Sequence, residues 1–300
     1  MTNEDVRESD MRKYKKEKLK EILMKLAKNE IRISYEMADD LLPACKSKIG
    51  GKPAVPHDFV WPKYLGESYD NITKERPLSF MAQINLEDVK RHDTEKLLPK
   101  TGILSFFYEM VSMPWGFEPE DSGSAKVYYF PGTEDLAPMD IPDDMDEEAI
   151  VPELDVTFEK HISIPTVEDF PDEVTNMDFD CDDYEECREE CGYSCDEWGE
   201  VTKLLGYPDT IQSSMEEECE SLSREYRQGS HEDFAAVPEK MMEEIEEKSK
   251  EWILLFQMGT VESDDGEIMF GDCGHIYFWI RKEDLKNQNF DNIWLILQCS

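Results

Sequence analysis

Four cysteines form the densest group of soft metal ligands in the chain: Cys181, Cys187, Cys191 and Cys195. Four thiolates can hold zinc or an iron–sulfur cluster. Structural zinc sites favour two pairs of ligands with two to four residues between partners, and this spacing does not match that template. Acidic neighbours also raise thiol pKa values, which disfavours the thiolate. We therefore predict an acidic segment with no metal and no cofactor, and a metal cluster is the alternative.

A group of carboxylates lies between two apolar runs near the C-terminus: Glu262, Asp264, Asp265, Glu267 and Asp272. Carboxylates at this density can bind calcium or magnesium. Their spacing does not reproduce the ligand pattern of an EF-hand loop, and a solvated turn uses the same residue types. We therefore predict an ordinary turn here.

A glycine- and proline-rich stretch over residues 47–62 contains a candidate anion site. Gly50 and Gly51 could cradle an anion with their backbone N–H groups, and Lys48 would add a positive charge. A phosphate loop needs a strand before it and a helix after it, and neither flank fits that pattern. The alternative is a turn whose glycines adopt positive φ angles.

Three glutamines lie inside apolar runs, Gln83, Gln257 and Gln298, and a buried amide there must find hydrogen-bond partners. Gln83 and Gln257 either connect strands or point into one shared polar pocket, with Asp272 close by. The five histidines are scattered, and the chain contains no Gly-x-Ser-x-Gly motif. We therefore assign no catalytic residue, and the candidate binding residues are Lys48, Gly50, Gly51, Gln83, Gln257 and Asp272.

The elements that must position these residues are mainly strands. Apolar and aromatic runs predict strands over residues 78–84, 102–108, 125–130, 156–164, 252–258, 275–280 and 293–299. The last three are almost continuously apolar, which predicts burial on both faces. Helical spacing of apolar residues predicts an amphipathic, lysine-rich helix near the N-terminus and two helices over about 214–249. The predicted fold is α+β, a mainly antiparallel sheet with a few packed helices.

The sequence contains a faint internal repeat. MAQI is followed 19 residues after Gln83 by GILSFFY, and LFQM is followed 17 residues after Gln257 by GHIYFWI. An apolar strand ending in glutamine, a loop, a glycine and an aromatic strand therefore occur twice. Two related halves would explain this pattern.

The composition excludes some classes of partner. The formal charge of −38, from 70 acidic and 32 basic residues, repels phosphate backbones and anionic lipids, so we expect neither nucleic acid nor a membrane as partner. No stretch approaches the roughly 20 apolar residues of a spanning helix, and the N-terminus lacks the apolar core of a signal peptide. We expect a cytoplasmic protein with reduced cysteines. The sequence does not indicate an oligomeric state.

The negative charge is concentrated in one segment. Residues 134–200 contain 26 acidic and two basic residues, and this segment alone carries a formal charge of −24. Such a segment is typical of a solvated linker, and a basic protein is the partner that it would attract.

The order of motifs over residues 47–299 resembles a known family. SKIGGKPAVP, PLSFMAQINLEDV, LPKTGILSFFY, LLGYPDTIQSSMEEEC, WILLFQM and FGDCGHIYFWIRKEDL occur in the order and approximate spacing of the YwqG-like family of uncharacterised proteins. The chain departs from that family at Thr202 and Lys203, where a histidine is often expected, and in the acidic insert over residues 172–200. The resemblance implies an intracellular α+β protein and no established catalytic residue. Some relatives occur near secreted toxin systems, which implies a binding or immunity role by association.

From these observations we predict two units, an N-terminal helix and lead-in over residues 1–46 and a YwqG-like domain over residues 47–300 with an acidic, cysteine-bearing insert near 134–200. The leading functional hypothesis is a non-enzymatic protein-binding module whose acidic segment contacts a basic protein. The alternative is a small-molecule-binding protein or a metal-dependent enzyme with its site near Gln83, Gln257 and Asp272.

Overall fold

The main feature of the structure, a computed structural model, is one antiparallel sheet of ten strands. The structure describes residues 3–38, 41–169, 174, 177, 179–194, 201–227, 237–263 and 266–300. The strands within these residues are β1 (Lys28–Met37), β2 (Lys48–Ile49), β3 (Ala54–Pro56), β4 (Lys63–Glu67), β5 (Thr73–Pro77), β6 (Ser79–Asn85), β7 (Ile103–Tyr108), β8 (Ala125–Phe130), β9 (Leu136–Pro138), β10 (Leu154–Ser163), β11 (Lys203–Leu204), β12 (Trp252–Met258), β13 (Val261–Ser263), β14 (Gly266–Ile268), β15 (His275–Arg281) and β16 (Trp294–Gln298).

The helices that the structure describes surround this sheet, and two of them also contribute to its core, where Leu86, Val89 and Leu285 are buried. They are α1 (Asn3–Leu26), α2 (Leu86–Val89), α3 (Cys181–Glu190), α4 (Glu216–Leu222), α5 (Glu239–Ser249) and α6 (Lys282–Lys286). The expected α+β class with a mainly antiparallel sheet is confirmed. Among the described helices, none is both long enough and apolar enough to cross a bilayer.

The large sheet has a mirrored strand order around a central pair. The order is β16, β15, β12, β11, β1, β10, β2, β6, β7, β8. The central strands β1 and β10 pair over their full ten residues, from Lys28 opposite Ser163 to Met37 opposite Leu154. Strand β1 belongs to the predicted N-terminal unit, residues 1–46. It nevertheless lies at the centre of the large sheet, whose other strands come from residues 47–300. The boundary after residue 46 stays a prediction.

The same four-strand unit lies once on each side of the central pair, as β2, β6, β7 and β8 in the first half and as β11, β12, β15 and β16 in the second. Strand β2 pairs with β6 so that Lys48 faces Gln83, and β11 pairs with β12 so that Lys203 faces Gln257. A register shift lies at the same place in each unit, between Phe80 and Ala82 and between residues 254 and 256. The two related halves indicated by the sequence repeat are therefore present in the strand pairing.

The turn after the first strand of each unit is also shared. In the first half Gly50 and Gly51 have φ angles of 58° and 71°, and in the second half Leu205 and Gly206 have φ angles of 62° and 79°. Leucine rarely adopts this left-handed conformation. Its presence at the position equivalent to Gly50 indicates that the surrounding contacts impose the turn.

The core lies between the two halves. The ring of Phe106 on β7 is 4.5 Å from that of Phe256 on β12 and 5.3 Å from that of Phe278 on β15. Because β7 and β12 are far apart in the strand order, the sheet must curl until the inner faces of its halves meet. The outer faces are covered separately. Met215 and Cys219 at helix α4 cover the second half, whereas Trp61 and Phe80 belong to an aromatic cluster over the first.

Candidate functional site

The candidate anion cradle at Lys48, Gly50 and Gly51 is filled by the protein itself. The Nζ atom of Lys48 donates to Oε2 of Glu153 at 2.7 Å, and the lysine is almost fully buried. A Cβ atom added at Gly50 would lie 2.1 Å from the carbonyl oxygen of Pro152, and one at Gly51 would lie 2.4 Å from Oε2 of Glu153. Oxygen atoms occupy the space that an anion would need. The geometry therefore corresponds to the alternative interpretation, a tight turn.

The two glutamines connect strands to turns and do not share a pocket. In the first half, Oε1 of Gln83 accepts from the backbone N–H of Ala54 at 2.9 Å, and Nε2 donates to the carbonyls of Ala44 and Lys46. In the second half, Oε1 of Gln257 accepts from the N–H of Asp209 at 2.9 Å, and Nε2 donates to the carbonyl of Val201 at 2.8 Å.

These bonds account for every polar atom of both side-chain amides. Each glutamine lies on the outer face of its own half, because its neighbour in the strand, Ala82 or Phe256, belongs to the shared core. The exposed residue Asp272 lies elsewhere again, where its carbonyl accepts from the N–H of Ser300 at 3.1 Å. The hypothesis of one polar pocket formed by Gln83, Gln257 and Asp272 is therefore corrected: the three residues occupy separate places.

The cysteine helix α3 packs its thiols against α1. Cys187 and Cys191 are buried, and their thiols lie 3.8 Å from the carbonyls of Lys16 and Lys20. Burial raises the pKa of Cys187 to about 11 and also raises that of Cys191, which disfavours the thiolates that a metal requires. Cys195, Asp264 and Asp265 lie outside the described residues. Over the described ranges, no group of three or more His, Cys, Asp or Glu side chains is placed to hold a metal ion.

Many carboxylates of residues 134–200 contact the protein's own cations. Lys16 on α1 lies 2.7 Å from Asp183 and 2.5 Å from Glu186, and Lys20 lies 2.7 Å from Glu190. Further pairs connect this segment to the sheet and its loops: Lys46–Asp155, Lys48–Glu153, Lys52–Asp140, Lys63–Asp144 and Arg76–Asp146. Eight carboxylates of this segment are therefore paired with cations from elsewhere in the chain, so its charge of −24 is weaker support for an external basic partner than the sequence suggests.

A basic groove lies where the two halves meet. We use this name for the cavity of about 690 Å³ that is bordered from the first half by residues 96–101 and Tyr129. Its border from the second half consists of Ile253, Lys282, Leu285, Lys286 and Gln288. Four lysines line it, and none of its described lining residues is acidic. These lysines are Lys96, Lys100, Lys282 and Lys286. The floor between them is apolar and includes Leu97, Pro99, Tyr129, Ile253 and Leu285.

Local backbone contacts hold the first wall of the groove in place. The carboxylate of the buried residue Asp93 accepts from the backbone N–H groups of Leu97 and Leu98 at 3.2 and 2.9 Å. Lys96, which directly precedes Leu97, has a φ angle of 58°, a left-handed conformation that costs a lysine roughly 1 kcal/mol. Side chains in such conformations cluster at binding and catalytic sites.

The second wall is the short helix α6. Its first backbone N–H, from Lys282, donates to the carbonyl of Glu251 at 2.8 Å. The helix ends near Gln288, which also lines the groove and has a φ angle of 57°. Two of the non-glycine residues with left-handed backbone thus lie on opposite walls of one groove.

The charges of the groove are only partly balanced. Nζ of Lys282 donates to the carbonyl of Lys250 at 2.8 Å, and Lys286 forms an exposed ion pair with Glu283 at 3.2 Å. Lys96 and Lys100 are exposed, and neither has an ion-pair partner within the described part of the chain. In a protein of charge −38, this groove is a local concentration of positive charge.

A smaller inner pocket of about 120 Å³ adjoins the groove. The two cavities share Leu97, Ile253 and Lys282, and Lys28 lines the inner one. Nζ of Lys28 lies 3.6 Å above the ring of Tyr207. Burial lowers the pKa of Lys28, although the charge of Glu216 opposes that shift.

Sequence reasoning missed this groove. Two short segments, EKLLPK and RKEDLK, each carry lysines spaced around leucines. That spacing is the only signal in the sequence, and it is common on exposed loops and helices. Lys96 and Lys282 are 186 residues apart in the chain. They line one groove only because the two halves pack on each other.

A protein-family model matches most of the chain. The model of a family described as a domain of unknown function, DUF1963, matches residues 47–299. None of the curated proteins matches the chain. The matched range includes every residue of the basic groove, whereas α1 and all of β1 precede it.

Proposed function

The chain belongs to the family DUF1963, a domain of unknown function, and we propose that it binds a small anionic molecule in the basic groove. The observation that carries this proposal is the meeting of four lysines from both halves around a cavity with no described acidic lining residue. The volume of the groove falls within the range of small-molecule pockets, roughly 300–1,000 Å³.

The lining also suggests the form of the ligand. Lysine ammonium groups bind phosphate or carboxylate oxygens through charge-assisted hydrogen bonds. The apolar floor, with Leu97, Ile253 and Leu285, would cover an uncharged part of the same molecule. This proposal retains the small-molecule alternative stated from the sequence and places it away from Gln83, Gln257 and Asp272.

Titration calorimetry with inorganic pyrophosphate at constant ionic strength tests the proposal. We expect one saturable site in the wild type and at least tenfold weaker binding in a K96Q/K100Q/K286Q variant. The matched control is K13Q/K18Q/K25Q, which removes the same charge from exposed positions of α1. Equal affinities in the two variants, or no saturable binding to the wild type, would contradict the proposal.

A basic protein that contacts the acidic segment is the second candidate partner. This is the protein-binding or toxin-immunity role implied by the resemblance to YwqG-like proteins. It is supported by Asp143, Glu147 and Glu148, which are exposed and have no cationic partner among the described residues. These carboxylates lie together around the short turn Glu147–Ala149.

A lysine-rich peptide is the probe for this second role. We expect its binding to weaken with salt and to be lost in a D143N/E147Q/E148Q variant. The matched control, E243Q/E246Q/E247Q, removes three exposed carboxylates from α5. Equal peptide binding by both variants would mean that the peptide responds to net charge alone, and this second role would fail.

A further inference from the structure

One lysine in the inner pocket differs from the four lysines of the groove. Lys28, at the start of β1, is partly buried, whereas the groove lysines are exposed. Its Nζ atom packs over the ring of Tyr207 at 3.6 Å, and no described carboxylate lies within ion-pair distance of it. A buried amine without a paired carboxylate is less strongly held in its charged form.

The charged groups around Lys28 come from four other parts of the chain. Glu216 on α4, Glu95 in the loop after α2 and Asp169 stabilise its positive charge, and Lys282 on α6 opposes it. Burial is the largest influence and leaves the pKa of Lys28 below its usual value. A larger fraction of this amine is therefore neutral, and the neutral form is the nucleophile.

Lys28 also stands next to the place where an anion would be held. The inner pocket and the basic groove share Lys282, Leu97 and Ile253, so one ligand can contact both. The inner pocket, at about 120 Å³, has room for only a few heavy atoms. The part of the ligand that enters it must be small, while the anionic part stays among the groove lysines.

We propose that Lys28 forms an imine with an aldehyde or keto group of an anionic ligand held in the basic groove. This inference rests on the ligand-binding function proposed above. The amine nitrogen attacks the carbonyl carbon, and one N–H proton moves to the carbonyl oxygen to give a carbinolamine. The C–O bond then breaks, the second N–H proton leaves with the hydroxyl group as water, and a C=N bond forms. The step needs no oxidant or reductant.

Borohydride trapping with two matched probes tests this step. Glycolaldehyde phosphate carries an aldehyde and a phosphate, and glycolaldehyde lacks the phosphate. Borohydride reduces an imine to a stable secondary amine, which peptide mass spectrometry assigns to a residue. We expect glycolaldehyde phosphate to modify Lys28 at least tenfold more than the exposed lysines Lys13, Lys18 and Lys25. Glycolaldehyde should show no such preference.

Two variants separate this inference from the function on which it rests. K28R keeps a positive charge over Tyr207 but cannot form an imine, so it should lose the adduct and still bind pyrophosphate. K96Q/K100Q/K286Q retains Lys28, and its labelling by glycolaldehyde phosphate should fall to the level seen with glycolaldehyde. If pyrophosphate binds but Lys28 is labelled no more than exposed lysines, the imine is overturned and the binding function stands. If Lys28 is labelled equally in the triple variant and the wild type, the role of the groove in the step is overturned.

Discussion

The two halves of the sheet use one backbone plan with different charges. In each half a lysine faces a glutamine across the first strand pair and contacts a glutamate. Lys48 contacts Glu153, just before the central strand β10, and Lys203 contacts Glu30 on the central strand β1. In the second half a further carboxylate, Asp209, lies 2.5 Å from the lysine, where the first half has Ala54. The shared part fixes the turn, and the added carboxylate makes one copy a buried ion cluster.

The burial of the two lysine clusters differs as well. Glu30 is fully buried, and Asp209 accepts hydrogen bonds from Gln257 and from the hydroxyl of Tyr193. Burial alone would raise the pKa of Asp209, but the charge and hydrogen bond of Lys203 outweigh it and hold the pKa below its usual value. The side chain of Glu153 in the first half is 26% exposed, so water can stabilise it. Equivalent positions therefore depend on their cation to different degrees.

Removing that cation should give the largest difference between the halves. Lys203→Met leaves the buried carboxylate of Asp209 without its described cationic partner and leaves Glu30 with Arg32 alone, so we expect a loss of about 3–5 kcal/mol in the free energy of unfolding. Lys48→Met leaves one partly exposed carboxylate, and we expect a loss of about 1 kcal/mol. Equilibrium urea unfolding of both variants measures the two losses. Equal losses would break the comparison, because they would mean that Asp209 adds nothing to the dependence on the lysine.

The glutamines should behave alike where the lysines do not. Gln83→Leu and Gln257→Leu each leave a buried backbone N–H and at least one carbonyl without their side-chain partner. We expect each to lower the free energy of unfolding by about 2 kcal/mol. Neither should change pyrophosphate binding in calorimetry, because both amides lie outside the basic groove. A loss of binding in one variant that keeps its stability would restore that glutamine as a ligand contact.

The sequence predicted the elements that depend on neighbouring residues better than the contacts between residues far apart in the chain. The runs over residues 125–130 and 252–258 became β8 and β12 because local patterning and apolar composition determine a buried strand. The two-residue strands β2 and β11 were missed, since each contributes two residues next to a turn and has no pattern of its own. β1 was missed although its sequence alternates, because its surroundings were assigned to the N-terminal helix.

The candidate site was predicted less well than the fold. Lys48 and Gln83 were predicted from separate local patterns, a glycine-rich stretch and an apolar run, although they meet only through the pairing of β2 with β6. The groove lysines come from opposite halves, and their meeting depends on how the sheet curls. The sequence repeat indicates that two halves exist, but it does not determine which loops of those halves face each other.

Helix α4, which covers the second half, should make the free energy of unfolding depend on pH. Burial, with the nearby charge of Asp169, raises the pKa of Glu216 on α4 to about 7. Between the ordinary carboxyl value and about 7, the folded protein holds a proton that the unfolded chain has released, so this group makes stability fall as pH rises. Glu216→Gln should therefore be more stable than the wild type at pH 8 by roughly 1–2 kcal/mol and nearly equal to it at pH 5.

Urea unfolding at both pH values measures this difference. The control is Glu217→Gln, the exposed neighbour on the same helix, which should change the free energy of unfolding by no more than about 0.5 kcal/mol at either pH. A constant difference between E216Q and the wild type from pH 5 to pH 8 would show that Glu216 does not titrate with the fold.

The smallest effect is expected from the hydrogen bond between Tyr193, which follows α3, and Asp209 in the second half. The hydroxyl of Tyr193, just after α3, donates to Oδ1 of Asp209 at 2.8 Å, and the ring of the same tyrosine stacks on Arg188 at 3.9 Å. Tyr193→Phe keeps the ring and removes only the hydroxyl, so we expect a loss of about 1 kcal/mol. Tyr14→Phe, an exposed tyrosine on α1, is the control and should change nothing measurable.

Hydrogen exchange gives the Tyr193→Phe variant a readout besides its stability. If Asp209 links α3 to the second half, the amides of α3 should exchange faster in this variant, while those of β6 and β7 in the first half keep the wild-type rate. Faster exchange in both halves would mean that the hydroxyl supports the whole sheet. An unchanged rate in α3 would mean that its contacts with α1, through Lys16 and Lys20, are enough to hold it. The second half would then differ from the first only in the burial of its charges.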